Sequence, residues 1–176
     1  MTKDYLPNQV DPLRFAENAA DLQGAIPLAK MERLAASLLN KEGDVNVQLK
    51  FGINKQKTRF IKGHIDALLD LQCQRCMCSF MVNIVSDFTY GIVTKDEEVK
   101  KLPENYDPLI VKNDELFIHD MIEEELIINL PIVPMHDPEI CNVSLPIMVS
   151  DPKSAGDILD NPFKVIESLK VKPKQE

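Results

Sequence analysis

Apolar and polar residues alternate at every second position through much of the stretch from residue 45 to residue 92, and this alternation constrains the fold most. The first run places apolar side chains at Val45, Val47, Leu49, Phe51 and Ile53. Successive side chains of a strand point to opposite faces of a sheet, so the alternation predicts a half-buried strand. Two further runs, over residues 58–71 and 80–92, follow after a polar turn at 54–57 and a cysteine-rich knuckle. Three consecutive strands joined by short turns predict an antiparallel meander.

Two other segments have the spacing of helices. Pro27 stands where the first turn of a helix tolerates it, and the apolar residues after it predict a helix over about 27–39. A second helix is predicted over residues 118–130, where Pro131 ends it. Residues 109–111 are apolar and predict a short edge strand before that helix.

These elements predict an α+β fold: a small antiparallel β-sheet or partly closed barrel with packed helices and a flexible C-terminal tail. Residues 1–26 contain proline, glycine and scattered apolar positions, so we expect an extended N-terminal arm that contributes a strand elsewhere. The α+β core domain is predicted at residues 27–145. Residues 146–176 are rich in Pro, Asp and Lys, and we expect a flexible tail with a short docking helix at 161–169.

The sequence lacks the apolar segments that membrane insertion or secretion requires. The longest strongly apolar run, near residues 126–135, is far shorter than the ~20 residues of a membrane-spanning helix. The residues from Met1 to Tyr5 contain no apolar stretch of a secretion signal. We therefore expect a cytoplasmic protein that does not contact a membrane.

The net charge of -8 is distributed unevenly along the chain. Residues 43–75 contain 6 basic and 3 acidic side chains, whereas residues 87–125 contain 4 basic and 12 acidic side chains. An acidic total argues against an extensive nucleic-acid-binding surface, because such a surface repels phosphate groups. It is compatible with a local basic surface, and with an acidic surface that holds a basic partner. A solvated surface of mixed sign, without either role, is the simpler interpretation.

A basic surface is predicted on the hairpin formed by the first two strands of the meander. Charges that project along one edge of a hairpin suit contacts with a phosphate backbone. The candidate RNA-binding residues are Lys50, Lys55, Lys57, Arg59, Lys62 and, on the neighbouring knuckle, Arg75. Phe51 and Phe60 have ring faces that can stack on bases, but their alternating strand positions favour packing in the core.

An acidic surface is predicted from residues 94–107, a charged and proline-interrupted segment expected to be an exposed loop, and from the helix that follows. The candidate protein-binding residues are Glu97, Glu98, Glu104, Glu123 and Glu124. Consecutive glutamates fan around a helix, so Glu123, Glu124 and Glu125 cannot converge on one site. We expect all three on the solvent side of the helix.

Four cysteines, at positions 73, 76, 78 and 141, include a pair with metal-ligand spacing. The two-residue gap between Cys73 and Cys76 lets both sulfurs reach one metal from a turn, and His136 with Cys141 offers a second half-site. Together they would form a tetrahedral site for zinc, with three thiolates and one imidazole. The alternative is that these cysteines are buried or reduced thiols without a metal. A thioredoxin-like redox role is disfavoured, because it requires a helix after the first cysteine and a strand is predicted there.

No catalytic constellation is evident in the sequence. It contains no nucleophile motif around Ser or Cys, no phosphate-binding glycine loop and no HExxH motif. His64 falls within a strand pattern as a surface or cross-strand residue, and His119 falls in the first turn of the acidic helix. We therefore expect a protein that is not an enzyme and has no small-molecule substrate.

Several segments, taken in order, resemble a known family. They are Leu71 to Cys76 (LQCQRC), Leu102 to Pro108 (LPENYDP), Glu123 to Pro131 (EEELIINLP), Ile132 to Asp137 (IVPMHD) with Cys141, and Asn161 to Lys170 (NPFKVIESLK). In this order and spacing they resemble the YceD family, called large ribosomal RNA subunit accumulation proteins. Val10 to Arg14 (VDPLR) resembles the proteobacterial branch of that family. Cys78 is an extra thiol, and Phe117 stands where we expect an Asp that caps the acidic helix.

The resemblance implies a role in the accumulation or maturation of large-subunit ribosomal RNA in the cytoplasm, without known catalytic activity. We expect a non-enzymatic ribosome biogenesis factor that binds precursor ribosomal RNA or an early large-subunit particle. The alternative is an acidic adaptor that captures a basic ribosomal protein without contacting RNA. The expected partners are thus large-subunit ribosomal RNA, large-subunit ribosomal proteins, or both, and the sequence specifies no oligomeric state.

Overall fold

A computed structural model describes residues 5–141, in which seven strands form two sheets. The strands are β1 (Gln9–Val10), β2 (Asp21–Pro27), β3 (Asp44–Ile53), β4 (Arg59–Gln72), β5 (Ser79–Val93), β6 (Asp107–Ile110) and β7 (Leu116–Phe117). The larger sheet has the order β2-β3-β4-β5-β6, and β1 pairs with β7 in the smaller one. Pairing is antiparallel from β2 to β5, whereas β6 runs parallel to the end of β5.

The predicted antiparallel meander is confirmed as β3, β4 and β5. Each of these strands begins and ends within one residue of the predicted bounds. The predicted edge strand corresponds to β6. The outer strands β2 and β6 do not pair with each other in residues 5–141, so the fold is an open sheet and the barrel alternative is wrong.

Four short α-helices accompany the sheets in the part of the chain that the structure describes. They are α1 (Pro12–Glu17), α2 (Glu32–Ala35), α3 (Asp96–Val99) and α4 (Ile118–Asn129). The prediction of α4 is confirmed. Phe117 precedes its first residue, Ile118, and its side chain makes no capping hydrogen bond. Its start is fixed instead by the amide of Ile118, which donates to the carbonyl of Asn8 over 2.8 Å. Within residues 5–141, no helix has both the length and the apolar character to cross a membrane.

The predicted helix at 27–39 is wrong. β2 continues to Pro27, and only a 3-10 turn (Leu28–Lys30) and the four-residue α2 follow it. The residues that produced the helical spacing are nevertheless buried in the core: Leu28, Met31, Leu34, Ala35 and Leu38. These apolar residues are spaced as in a helix because they are buried, although most of the segment is irregular. The predicted loop at 94–107 is likewise interrupted by α3.

The segment predicted as an extended N-terminal arm contains β1, α1 and most of β2. Asp11 caps α1, because its carboxylate accepts hydrogen bonds from the amides of Leu13 and Arg14, each 3.0 Å long. Leu6, Val10, Ala16 and Ile26 are buried in the same core as the meander. The predicted tail at 146–176, with its docking helix at 161–169, lies outside the described residues.

The helices cover one face of the larger sheet. Phe15 of α1 packs edge-on against Phe51 of β3, with ring centroids 5.3 Å apart, and α4 lies against β5. This face carries the alternating buried residues of the meander, among them Val47, Leu49, Ile61, Ile65 and Leu69. The intervening residues, most of them polar, form the opposite face, which is largely exposed in the described residues. Its hairpin end is covered by Leu102 and Tyr106, which contact Gly91 and Phe60.

Gly63 of β4 makes room for an aromatic ring on the covered face. Its partner across the β4–β5 ladder is Phe88, and the phenyl ring of Phe88 lies directly over Gly63. Any β-carbon at position 63 would overlap that ring. Glycine has a low strand propensity, but its lack of a side chain at position 63 allows the large side chain of Phe88 to be buried.

We predict that Gly63→Ala lowers the free energy of unfolding by about 1–3 kcal/mol, because the added methyl group overpacks the core. Urea unfolding measures this change. In a Phe88→Leu background the additional cost of Gly63→Ala should fall below about 0.5 kcal/mol, since the ring that it meets is gone. An equal cost in both backgrounds would contradict the proposed clash.

Candidate metal centre and nucleic-acid interface

The turn between β4 and β5 holds three of the four cysteines. The amide of Cys73 donates to the carbonyl of Cys78 over 2.9 Å, and the amide of Met77 donates to the carbonyl of Cys73 over 2.8 Å. Met77 adopts a positive φ of 61°, which lets the chain reverse within five residues. The tight turn points the sulfurs of Cys73 and Cys76 to the same side.

The segment after α4 brings the other two predicted ligands to this turn. The amide of Gln74 donates to the carbonyl of Pro134 over 2.9 Å, which fixes the segment against the turn. The imidazole of His136 packs on Phe80 at the start of β5, with ring centroids 5.4 Å apart. Cys141 follows a short turn in which its amide donates to the carbonyl of Asp137 over 3.1 Å.

The four predicted ligands converge. The ligand atoms of Cys73, Cys76, His136 and Cys141 all lie within 4.8 Å of one another, and Cys73 and Cys141 are buried. The Sγ atom of Cys76 lies 3.6 Å from Nε2 of His136. A tetrahedral zinc ion with ordinary bond lengths separates a sulfur and an imidazole ligand by about 3.6 Å. The donor set and its spacing therefore fit a metal ion.

The backbone favours a thiolate at Cys73. Burial raises the pKa of this thiol, but the amides of Cys76, Arg75 and His136 point at its sulfur and together lower the pKa to about 6. One of these contacts is the amide of Arg75, 3.4 Å from the sulfur. A deprotonated sulfur is the form that binds a metal. Burial raises the pKa of the Cys141 thiol above its ordinary value.

Cys78 stands outside the cluster. Its side chain is exposed and donates to the carbonyl of Cys76 over 3.6 Å. A hydrogen bond with the side chain of Cys76 raises the pKa of the Cys78 thiol. A thioredoxin-like role also remains disfavoured, because the cysteine turn continues into β5 rather than into a helix.

The six predicted RNA-binding residues occupy four places. Lys55 and Lys57 lie in the turn between β3 and β4, and Lys50 and Lys62 face each other across the same two strands on the open face. Arg59 pairs with Glu17 of α1 over 3.3 Å, which places it towards the covered side.

Arg75 is far from the other basic residues. β4 is 14 residues long, so the hairpin turn and the cysteine turn are about 45 Å apart. Arg75 belongs to the cysteine end, where its guanidinium lies 3.9 Å from the sulfur of Met135. Arg75 therefore does not share a surface with the lysines of the hairpin, in agreement with its predicted place on the knuckle.

The predicted acidic residues also divide into separate places. Glu97 and Glu98 belong to α3, close to the basic hairpin, because Asn54 of the hairpin donates to the hydroxyl of Tyr106 over 3.3 Å. Glu104 lies two residues before Tyr106 and is exposed. The backbone amide of Thr94 donates to Glu98 over 2.9 Å and holds the pKa of that carboxyl below its ordinary value.

Glu123 does not face solvent as predicted, because it caps α2. Its carboxylate accepts from the amides of Arg33 and Leu34, over 2.8 and 3.0 Å, and from the guanidinium of Arg33 over 3.0 Å. Its side chain is only 7% exposed. Glu124 is 64% exposed and pairs with the same arginine over 3.2 Å. Of the two, only Glu124 presents a carboxylate to a partner.

Glu125 is likewise buried, against the prediction of a solvated side. Ser86 and Tyr90 of β5 donate to its two carboxylate oxygens over 2.8 and 2.7 Å, and Asn129 donates over 3.0 Å. Burial, followed by the bond to Glu125, raises the pKa of Tyr90 well above its ordinary value. This hydrogen-bonded group around Glu125 was not predicted from the sequence. One signal was present: Ser86 is polar although it stands between Ile84 and Phe88, at a strand position whose side chains face the core.

Residues 61–170 match the profile of the family described as "Large ribosomal RNA subunit accumulation protein YceD". A protein of Haemophilus influenzae with the same description is 36% identical over 175 residues, which cover 98% of this chain and 100% of the relative. No solved structure matches the chain.

We predict that Glu123→Ala lowers the free energy of unfolding by about 2–4 kcal/mol, because it leaves the amides at the start of α2 and the Arg33 guanidinium without their acceptor. Glu124→Ala is the matched control on the same helix and should cost less than about 0.5 kcal/mol, as exposed ion pairs do. Chemical denaturation measures both. Similar costs for the two variants would show that Glu123 is not a cap.

Proposed function

We propose a function from the premise that the chain belongs to the YceD family of large ribosomal RNA subunit accumulation proteins. The protein is a non-enzymatic ribosome biogenesis factor that promotes the accumulation of large-subunit ribosomal RNA. It acts in the cytoplasm by binding precursor ribosomal RNA or an early large-subunit particle. The name of the proteobacterial relative, which aligns over nearly the full length of both chains, supports this role.

The observation that carries RNA binding is the set of unpaired lysines at one end of the sheet. Lys55 and Lys57 project from the hairpin turn, with Lys50 and Lys62 beside them, and all four are exposed. None of the four forms an ion pair within residues 5–141. Lysines without carboxylate partners are available to phosphate, whereas Arg59 must first leave Glu17.

The second candidate is an adaptor that captures a basic ribosomal protein. It is favoured by the exposed carboxylates of Glu97 and Glu104 beside the basic hairpin and by Glu124 on α4. These carboxylates lie on different elements, so no single acidic surface unites them. The adaptor therefore has weaker support than RNA binding, and the same variants test both.

We propose that Cys73, Cys76, His136 and Cys141 hold a structural zinc ion. A bound ion would fasten the turn between β4 and β5 to the segment after α4. The support is the convergence of the four ligand atoms within 4.8 Å and the hydrogen bonds between backbone amides and Cys73. All four positions carry protein ligands, which is typical of structural rather than catalytic zinc.

If the hairpin binds RNA, replacing Lys55 and Lys57 with Glu should weaken binding to a precursor large-subunit RNA fragment. Each lost phosphate contact reduces the slope of log affinity against log salt by about 0.7–0.9, so the slope should fall by about 1.5. Fluorescence anisotropy over a range of salt concentrations measures both. Large-subunit RNA should also accumulate poorly in cells that carry this variant.

The matched control replaces Lys30 and Lys41 with Glu. These exposed lysines precede β3, at the end away from the hairpin turn, and the charge change is identical. The control should retain the affinity and the slope of the parent protein. Equal losses in both variants would mean that total charge, and not the hairpin, governs binding. If neither variant changes RNA binding, but Glu97→Lys with Glu104→Lys abolishes the capture of large-subunit proteins, the adaptor is supported instead.

If zinc is structural, protein purified without added metal should contain about one zinc per chain. Cys76→Ser should lose the metal and lower the Tm by about 10 °C, because loss of a metal site is among the largest single-residue effects. Cys78→Ser, two residues away and outside the cluster, should keep both the metal and the Tm. Elemental analysis and thermal unfolding give the readouts. A fully folded parent protein without metal would refute the site.

A further inference from the structure

The face of the larger sheet opposite α1 and α4 is polar and exposed over two rows of side chains near the hairpin turn, whereas Leu68, Met81 and Val85 are exposed farther along it. Strand register sorts its side chains into rows across β2, β3, β4 and β5. The row nearest the hairpin turn, Gly52, Phe60 and Gly91, is covered by Leu102 and Tyr106. The first exposed row is Asp21, Lys50, Lys62 and Thr89, and the second is Gln23, Gln48, His64 and Asp87. Neighbouring rows are about 7 Å apart along the strands, and four strands span about 14 Å.

The first exposed row places two like charges side by side, with the carboxylate of Asp21 next to Lys50 only. Lys50 and Lys62 are direct partners across β3 and β4, and both are exposed. Like charges that face each other across strands repel. On the far side of Lys62 stands Thr89, a neutral hydroxyl that donates hydrogen bonds. A phosphate group between the two ammonium groups would relieve the repulsion.

The second row supplies groups that hydrogen-bond to bases. Gln23 and Gln48 carry amides with both donors and an acceptor, and both are exposed. His64 lies beside Gln48 on β4, and its Nδ1 is 2.9 Å from the carboxylate of Asp87. The side chains of Gln23, Gln48 and His64, with those of Asn46 and Asp66, line a groove on the open face.

An exposed aromatic ring stands at the edge of this groove. Tyr5 forms a parallel bridge with Ala25, which lines the groove, and the amide of Leu6 donates to the carbonyl of Ala25 over 3.2 Å. Residues paired in register share a face, so the Tyr5 ring belongs to the open face, and 58% of the residue is exposed. Aromatic rings in such positions provide stacking surfaces for unpaired bases.

We propose that this half of the open face binds a short single-stranded segment of RNA. Lys50 and Lys62 hold a phosphate, Gln23, Gln48 and His64 contact base edges, and Tyr5 stacks on a base. The proposal rests on the proposed RNA-binding function and narrows it to one nucleic-acid form and one face. The segment is short, because the next rows carry Asp66 and Asp70, which repel phosphate.

Single-stranded RNA fits this surface better than a duplex does. Base edges of an RNA duplex are hidden in a deep, narrow major groove, and its minor groove is read mainly through sugar hydroxyls and phosphates. Amide side chains and an exposed ring on an open sheet are useful only to bases that are unpaired. The lysines of this face are also confined to one end, whereas a duplex presents phosphates along its whole length.

The first test compares one labelled RNA oligonucleotide, single-stranded and annealed to its complement, on the full-length protein. The single strand should bind at least about tenfold more tightly. Gln23→Ala with Gln48→Ala should weaken single-strand binding about tenfold without altering the salt slope, because no charge is lost. Gln9→Ala with Gln74→Ala, two exposed glutamines elsewhere, is the matched control and should have no effect. Thermal unfolding checks that each variant is folded.

The second test uses the three histidines as built-in reporters. Adding the single-stranded oligonucleotide should shift the NMR imidazole signals of His64, which lies in the groove, and leave those of His119 and His136 unchanged. This readout requires no substitution. A shift confined to the other two histidines would overturn the proposal.

The outcomes separate this inference from the proposed function. If Lys55→Glu with Lys57→Glu weakens RNA binding while the Gln23 and Gln48 variant does not, RNA binds the hairpin but not the open face, and the inference fails alone. Equal or tighter binding of the duplex also refutes the inference alone. If the parent protein binds neither RNA form, the RNA-binding function and the inference fail together.

Discussion

The hydrogen-bonded ladder between β4 and β5 is the element on which the rest of the structure depends. Its register runs without interruption from Phe60 to Gln72 on β4. Every other part is attached to it: β3 and β2 on one side, β6 on the other, and α4 on the covered face. Because the ladder is about 45 Å long, it also keeps the two functional ends apart. The lysines of the hairpin turn and the cysteines of the opposite turn therefore cannot belong to one site.

Two buried glutamates of α4 attach the helix to two different elements. Glu123 holds the start of α2, and Glu125 holds Ser86 and Tyr90 of β5. A buried carboxylate is tolerated only where donors replace its lost water, and both residues meet that condition within the described part of the chain. The helix thus joins the segment between β2 and β3 to the far side of the sheet. Its chain then continues to the cysteine turn, so the position of His136 depends on both glutamates.

Much of the fold was predictable from the sequence, because a half-buried strand leaves a period of two. β3, β4, β5 and α4 have regular patterns and were predicted nearly to the residue. The segment from 28 to 43 was not, since its buried side chains reproduce helical spacing without a helix. The convergence of the four metal ligands was predictable from cysteine spacing. The burial of Glu123 was not predictable, because its partners are backbone amides of a helix 90 residues away. Every residue type but proline carries such an amide, so the sequence does not show which ones bind a carboxylate.

The pairing of β1 with β7 has a consequence for the order of events during synthesis. Gln9 and Phe117 are register partners although more than 100 residues separate them. At ordinary translation rates, β1 waits roughly 5–20 s after it is made before β7 exists. β3, β4 and β5, joined by turns of only a few residues, have their partners almost at once. The chain therefore builds its sheet from the middle outward, and Val10 is among the last core residues to be covered, although it is among the first to be made.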